Sequence, residues 1–529
     1  MRSIKVTQAI AALVAAAIIF FIHDSVFLFN RIERLLVTDS TIVNFAQFFF
    51  EFGLHFFLIF LFFFLCSFNK IIFNSAAFFL FLFSGISAFI YNTFGILPDQ
   101  GSIANALDNT DDVSDVVNIF GLVTYLFFLL ILPFFLIYKF EITKKNNKNL
   151  FIIISVILIF FSATLTSFNK DTRRTAIVSY SPISLIDSVL EYCYNIRPTI
   201  KNKKNLQPIS KVVYDASINP NKVKNLKVVL IIGESARAKN FSINGYERET
   251  TPKLQQQKNL LSFKDVTPCD NLTSYSVSCI LSHRTSKEFC LTADNDESVV
   301  KLFENLGFST AWLSTQKAVG DDNILLMLGM QAQNYIFGNN IAQNIGGGEI
   351  YDGYLLDFLD KEIANENDNF VVLHTRGSHF LFDDRYPEEF KKFTPTCSKR
   401  KPKDCVRQDL VNAYDNSIFY TDYFISSVID HLKNQNAILF YISDHGQFLG
   451  EDNIYYHGTP RKIEYVEHKV PMFFWMSDKL LAQKFYKEKF NKAGLKIQKP
   501  LSHDNIFDSL LNCSGVESKF FDRDLSICK

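Results

Sequence analysis

Uncharged apolar runs fill the first third of the chain. Val6 to Ile22, about Asn44 to Phe68, Ile71 to Ile96, Val116 to Tyr138 and Leu150 to Phe168 each come near or pass the length a helix needs to cross a bilayer, roughly 18 to 20 residues. They predict a five-helix transmembrane domain over residues 1–168. The first run alone also fits a cleaved leader, and the four runs behind it favour a span. From about residue 221 the pattern changes to short β-branched runs, Val228 to Ile232, Phe370 to Leu373 and Ala437 to Ile442, with helical periodicity over Val406 to Leu432. Such alternation predicts a single α/β domain built on a parallel sheet over residues 221–529. Residues 169–220 read as a connector. In it Ser181-Pro182 signals a helix start, and Leu185, Ile186, Val189 and Leu190 share one face. That helix fits the membrane surface and an ordinary packing role equally.

Charge gives these segments an orientation. Arg2, Lys5, Lys70, Lys139, Lys144, Lys145 and Lys148 fall on one side of the spans, against Arg31 and Arg34 on the other, where Asp99, Asp108, Asp111, Asp112 and Asp115 also lie. Basic loops stay inside, so the N-terminus is expected in the cytoplasm and everything after about residue 170 outside it. Lys plus Arg total 54, as do Asp plus Glu, which gives no whole-molecule attraction to nucleic acid. Of the nine cysteines, Cys66 and Cys193 lie in or near the membrane part and the other seven in the exported domain, where disulfides persist. Cys269 with Cys279 and Cys397 with Cys405 are short-loop pairs, Cys513 with Cys528 is a weaker third, and Cys290 is left over. The 56 phenylalanines crowd the spans and carry no functional signal.

Chemistry gathers where strand-like runs stop. The first stops at Gly233-Glu234-Ser235 and the third at Ser443-Asp444-His445-Gly446. Ligands collect beyond the carboxyl ends of strands in open α/β sheets, so Glu234, Asp444 and His445 can converge. Two carboxylates and an imidazole form a three-ligand zinc set with a position to spare. Thr273 supplies a hydroxyl for that position. It would sit at the start of a helix through Val277 and Ile280 and would attack phosphorus once its pKa is lowered. Taken singly, Thr273 reads as a helix cap and Glu234 as a cap acid. His379 and His457 suit substrate contact or a second zinc site, and Lys317 could pair with a phosphate.

These residues lie in longer motifs. Gly233-Glu234-Ser235-Ala236-Arg237, Asn240-Phe241-Ser242, Gly245-Tyr246, Arg248-Glu249-Thr250 and Thr251-Pro252 resemble the signature of the lipid A phosphoethanolamine transferases, which include the mobile colistin-resistance proteins. The likeness continues through Thr273-Ser274, Gly377-Ser378-His379, Tyr414-Asp415-Asn416-Ser417, Tyr420-Thr421-Asp422, Ser443-Asp444-His445-Gly446 and His457-Gly458-Thr459-Pro460. In the external loop it extends to Asn105-Ala106-Leu107 and Thr110-Asp111.

The resemblance implies an alkaline-phosphatase-like (sulfatase-like) periplasmic domain on a bacterial inner-membrane anchor. It implies zinc held by Glu234, Thr273, Asp444 and His445, and Thr273 as the nucleophile that accepts phosphoethanolamine. His379 and His457 would contact substrate. The implied donor is phosphatidylethanolamine and the implied acceptor is lipid A, core sugar or another envelope glycan or protein, with the enzyme acting as a monomer. Three stretches depart from the family pattern. Phe380-Leu381 replaces Gly-Pro, the segment after Trp312 is short and lacks a cysteine pair, and the loop Leu281 to Cys290 is unusual. A glycerol-phosphate transferase, another sulfatase relative or an inactive binding protein of the same fold are the other readings. Glu51 and His55, one turn apart on the second run, mark a path for a lipid headgroup or an interfacial acid.

Overall fold

The computed structural model describes residues 4–29, 42–94, 119–143, 180–191, 206–289, 296–317, 324–344, 349–399, 402–451, 468–519 and 524–529, with a few shorter pieces between them. Cys290, Gly458-Thr459-Pro460, the loop from Pro98 to Asp115 and most of the fifth expected span lie outside the described residues. The described residues divide into two compact units, those before residue 193 and those from it onward.

In the first unit, β1 (Ile4–Thr7) pairs in parallel with β2 (Phe140–Thr143). That pairing takes the start of the first apolar run out of its helix, and Thr7 Oγ1 then caps α1 (Gln8–Ile18) by accepting from Ile10 N. A π turn, Ile19–His23, follows. The helix so formed is shorter than the expected span. Among the described residues three helices are long and apolar enough to cross a membrane, within α2 (Ile42–Cys66), within α3 (Lys70–Phe94) and over Phe120–Tyr138. The last is α4 (Ile119–Leu126), a second π turn (Phe127–Ile131) and α5 (Leu132–Tyr138). Pro133 gives this turn a physical cause, since it has no N–H for the carbonyl four residues back, that of Leu129. The freed oxygen is met by His23 Nε2 at 2.7 Å. Phe20, Phe63, Phe64, Phe73 and Phe81 fill the interior, and α6 (Ile183–Glu191) completes the unit.

The second unit is built on a seven-stranded sheet. Its strands, in chain order, are β3 (Leu226–Gly233), β4 (Leu260–Phe263), β6 (Ser309–Ser314), β7 (Asn334–Ile336), β8 (Asn369–His374), β9 (Asn436–Ser443) and β10 (Met472–Met476). β5 (Asp265–Thr267) stands outside it and pairs with β11 (Pro500–Ser502). Spatial order is β4-β10-β9-β3-β8-β6-β7. β3 is buried along its whole length, as a central parallel strand with both faces covered must be. β10 pairs antiparallel to β9 and β4, a reversal the apolar pattern does not encode. The helices that matter for the site are α7 (Thr273–Ile280) and α8 (Arg407–Leu432), the latter spanning nearly the whole periodic stretch read from sequence.

Candidate metal centre and nucleophile

Register brings the acids together. Ser443 stands opposite Gly233 in the parallel ladder of β9 and β3, so the residues that follow emerge side by side at one sheet edge. Asp444 N donates to Gly233 O at 2.9 Å. Asp444 Oδ1 accepts from Ser235 N at 3.0 Å and His445 N at 2.7 Å. Ser235 takes a left-handed φ of 56° to make this turn, a strained conformation for a residue with a Cβ. Thr273 arrives on the first turn of α7; Leu272 occupies the cap position, so the expected cap role of Thr273 is not seen.

Glu234, Asp444 and His445 offer donor atoms that all lie within 4.8 Å of one another, and all three are buried. Thr273 Oγ1 stands 3.2 Å from Glu234 Oε2 and 3.1 Å from His445 Nε2. His445 Nδ1 donates to Gly446 O at 2.9 Å, which turns Nε2 toward Glu234 Oε1 at 3.3 Å and Asp444 Oδ2 at 3.2 Å. Burial opposes the charge on Glu234, yet the His445 imidazolium holds its carboxyl well below the usual range. Asp444 is pushed well above its usual range by burial and then by the Glu234 charge. His445, disfavoured as a cation by burial, is nevertheless drawn up to about 9 by Asp444 and Glu234. Two acids therefore contend for one positive charge, and Asp444 Oδ2 is buried without a hydrogen-bond partner. This donor set fits a divalent cation, which would satisfy both acids and the imidazole lone pair at once.

The outer residues are less uniform. His457 is buried, its Nδ1 3.0 Å from Gln447 Oε1, and its ring centroid lies 4.1 Å from that of His445. Burial first, and the neighbouring His445 second, push its pKa well down, so it is neutral. His379 is half-buried, 6.0 Å from His457 between ring centroids. Lys317 is exposed, three residues after the end of β6. Its neighbour Gln316, which carried no sequence signal, donates from Nε2 to Glu234 Oε2 at 3.0 Å and to Thr375 O at 2.9 Å. Gly377 has a φ of 46°, and a Cβ there would stand 2.8 Å from Glu234 O and 2.9 Å from Glu234 N. Asp352 fixes that glycine loop by accepting from Thr315 Oγ1, Arg376 N and Gly377 N. Leu381, in the departing Phe380-Leu381 pair, also has a left-handed φ, 64°.

His503 is a second residue the sequence did not mark. Its Nδ1 accepts from Cys269 N at 3.1 Å and its Nε2 donates to Ser443 O at 3.0 Å. It ties the loop before Thr273 to the strand before Asp444, and burial lowers its pKa to about 3. Cys269 is bonded to Cys279, Cys397 to Cys405 and Cys513 to Cys528. The long motifs prove to be framework. Asp415 of α8 accepts from Asn240, Tyr246 and Arg248, Tyr414 hydroxyl donates to Ser235 O, and Ser417 bonds Ser378. Asp422 receives the N–H groups of Lys253 and Leu254.

Comparison with known proteins meets the same two units. Residues 56–195 match the family described as phosphoethanolamine transferase EptA/EptB, and residues 227–516 match the sulfatases. Phosphoethanolamine transferase EptA of Escherichia coli (strain K12) is 33% identical over 469 residues, 84% of this chain and 83% of its own. The integral membrane protein lipooligosaccharide phosphoethanolamine transferase A from Neisseria meningitidis has a TM-score of 0.78 at 22% identity, covering 99% of this chain and 98% of that one, a likeness of fold. The C-terminal periplasmic domain of phosphoethanolamine transferase EptC from Campylobacter jejuni has a TM-score of 0.52 at 29% identity, over 61% of this chain and 97% of that one.

Proposed function

Because the chain belongs to the phosphoethanolamine transferase family, with a sulfatase-like second domain, we propose that it moves phosphoethanolamine from phosphatidylethanolamine to lipid A or core oligosaccharide of the cell envelope. The observation that carries this reading is the placement of Thr273 Oγ1 within 3.2 Å of both Glu234 Oε2 and His445 Nε2. Thr273 attacks the phosphodiester phosphorus, the bond to the diacylglycerol oxygen breaks, and that oxygen leaves with a proton. Phosphoethanolamine is then esterified to Thr273, and an oxygen of the acceptor attacks the same phosphorus and frees Oγ1 again. Zinc, held by Glu234, Asp444 and His445 with Thr273 as the fourth ligand, would lower the pKa of the hydroxyl and neutralise charge on the phosphoryl group.

The rest is the work of the chain. Gln316 and the Gly377 loop hold Glu234 in place. His379 and the neutral His457 contact the phosphoryl oxygens, and a second ion there would use the same two rings. We place the first unit in the bacterial inner membrane with five spans and a cytoplasmic N-terminus, and the second in the periplasm of a monomeric enzyme. Adding an amine to an envelope phosphate lowers surface negative charge and weakens binding of polymyxin-type cationic peptides. Mass spectrometry of envelope glycolipids from cells with the gene, without it, and with the Thr273→Ala form tests the reading. An added phosphoethanolamine mass is expected only with the unaltered gene; its presence in all three would refute the assignment.

A further inference from the structure

The first unit buries a polar cluster that the transfer chemistry does not use. The π turn Ile19–His23 delivers His23 and Asp24 into the apolar interior, 2% and 3% exposed. His23 Nε2 donates to the carbonyl that Pro133 frees on Leu129, which fixes Nδ1 as a lone-pair acceptor, and Nδ1 is buried without a partner. Asp24 is hydrogen-bonded to Ser181, itself 2.9 Å from Ser84 Oγ, while Asp24 Oδ2 is buried without a partner. Two bare acceptors thus sit on consecutive residues, among helices that the proposed topology places in lipid. Next to Ser181, the Tyr180 ring packs at a tilt of 37° on His55, 4.2 Å between ring centroids, and His55 Nδ1 donates to Glu51 O at 2.8 Å. A buried acid whose second oxygen has no partner is costly, and intramembrane acids mark substrate or ion paths.

A single partner bringing positive charge and several N–H donors would satisfy both atoms. A primary ammonium has three N–H groups and one charge, which suits a carboxylate oxygen and an imidazole nitrogen together. By the charge rule that sets the proposed topology, the π turn and Asp24 after α1 lie toward the outer leaflet. We propose that Asp24 and His23 hold the ammonium of an aminophospholipid headgroup, a donor-holding site in the membrane unit. The proposal rests on the phosphatidylethanolamine reading and adds to it the residues that select the headgroup before its phosphate is cleaved.

The test uses the full-length Thr273→Ala protein in detergent, which binds donor without consuming it, and a radiolabelled short-chain phosphatidylethanolamine as probe. Unlabelled phosphatidylethanolamine of the same chain length should compete about tenfold better than the phosphatidylcholine analogue, whose nitrogen has no hydrogen to donate, the equivalent of one hydrogen bond to a charged group. Free ethanolamine should compete poorly, since it lacks the acyl chains. Adding Asp24→Asn should bring the two lipids to within a factor of about two. Equal competition by both lipids with Asp24 intact overturns the proposal, as does an Asp24→Asn protein that keeps the preference. Competition by free ethanolamine as strong as by the lipid overturns the lipid as occupant. Should Asp24→Asn fail to fold, the headgroup comparison with Asp24 intact decides alone. Diacylglycerol release by the unmutated enzyme separates the two levels: release without headgroup preference sinks only this site, and no release sinks the donor reading with it.

Discussion

Thr273 combines a reactive position with little packing value. Its side chain is small, and its neighbours Glu234 and His445 already meet at 3.3 Å, so they stay paired without it. Thr273→Ala is therefore expected to lose transfer by at least about a thousandfold while its melting temperature stays within about 2 °C, read by product assay and calorimetry on one preparation. His503 is the opposite case, a residue that acts on structure. Removing it leaves the Cys269 amide and the Ser443 carbonyl buried and unpaired, so His503→Ala should cost about 1 to 3 kcal/mol of stability in a denaturant titration. Its titration gives the sign of a pH effect. The folded-state pKa, about 3, lies below the unfolded value of about 6.5. As pH falls through 6.5 the unfolded chain takes up the proton first, so this contribution is full above that pH and drains away toward pH 3. The His503→Ala protein should show a shallower loss over that window; an identical slope would show that the imidazole is not titrating as described. Sequence marked Glu234, Asp444, His445 and Thr273 as candidates because strand-like runs or a helix start point at them. Gln316 and His503 work through single hydrogen bonds made by tertiary folding, and no periodicity announces such bonds.

At the scale of elements, the catalytic loops are held by close approach as much as by bonding. Gly377 packs its bare Cα against the backbone of Glu234. Gly377→Ala would need both a left-handed φ and room that the Glu234 backbone occupies, and should lower zinc content and turnover together, by about tenfold or more in turnover. Metal analysis beside kinetics checks it; a full zinc complement with normal turnover would show that the loop gives way at no cost. The Cys269–Cys279 bridge closes ten residues around the start of α7, and its removal should destabilise the domain by about 2 to 3 kcal/mol. Apolar periodicity made β3, β8, β9 and α8 visible in advance. It missed the β1 and β2 pairing that shortens the first helix, because residues 4 and 140 meet only in the folded unit. It also missed the second π turn, which depends on which amide Pro133 withholds, and the reversed direction of β10, since a buried strand reads the same both ways.

For the molecule as a whole, the contending charges of Glu234, Asp444 and His445 would make a bound metal part of the domain's stability as well as of the proposed chemistry. Chelation should abolish transfer and lower the melting temperature, and stoichiometric zinc should restore both. Unchanged turnover in a metal-free preparation would count against the proposed chemistry. The division into an apolar unit and an α/β unit is plain in the sequence, because a run of uncharged residues and an alternation of strand and helix are different kinds of pattern. The partner proposed for His23 and Asp24 is not, since it would be no part of the chain.

One property of the sheet has a bearing on biogenesis. β3 and β9 are neighbours in space, yet the carboxylates they deliver are separated by 210 positions along the polypeptide, Glu234 to Asp444. During secretion the first acid emerges long before the second, and no fragment ending short of residue 445 contains the full set of donors. On the proposed reading the ion would be captured late, beyond the membrane, and a chain stalled part-way would be chemically silent toward the lipid that surrounds it.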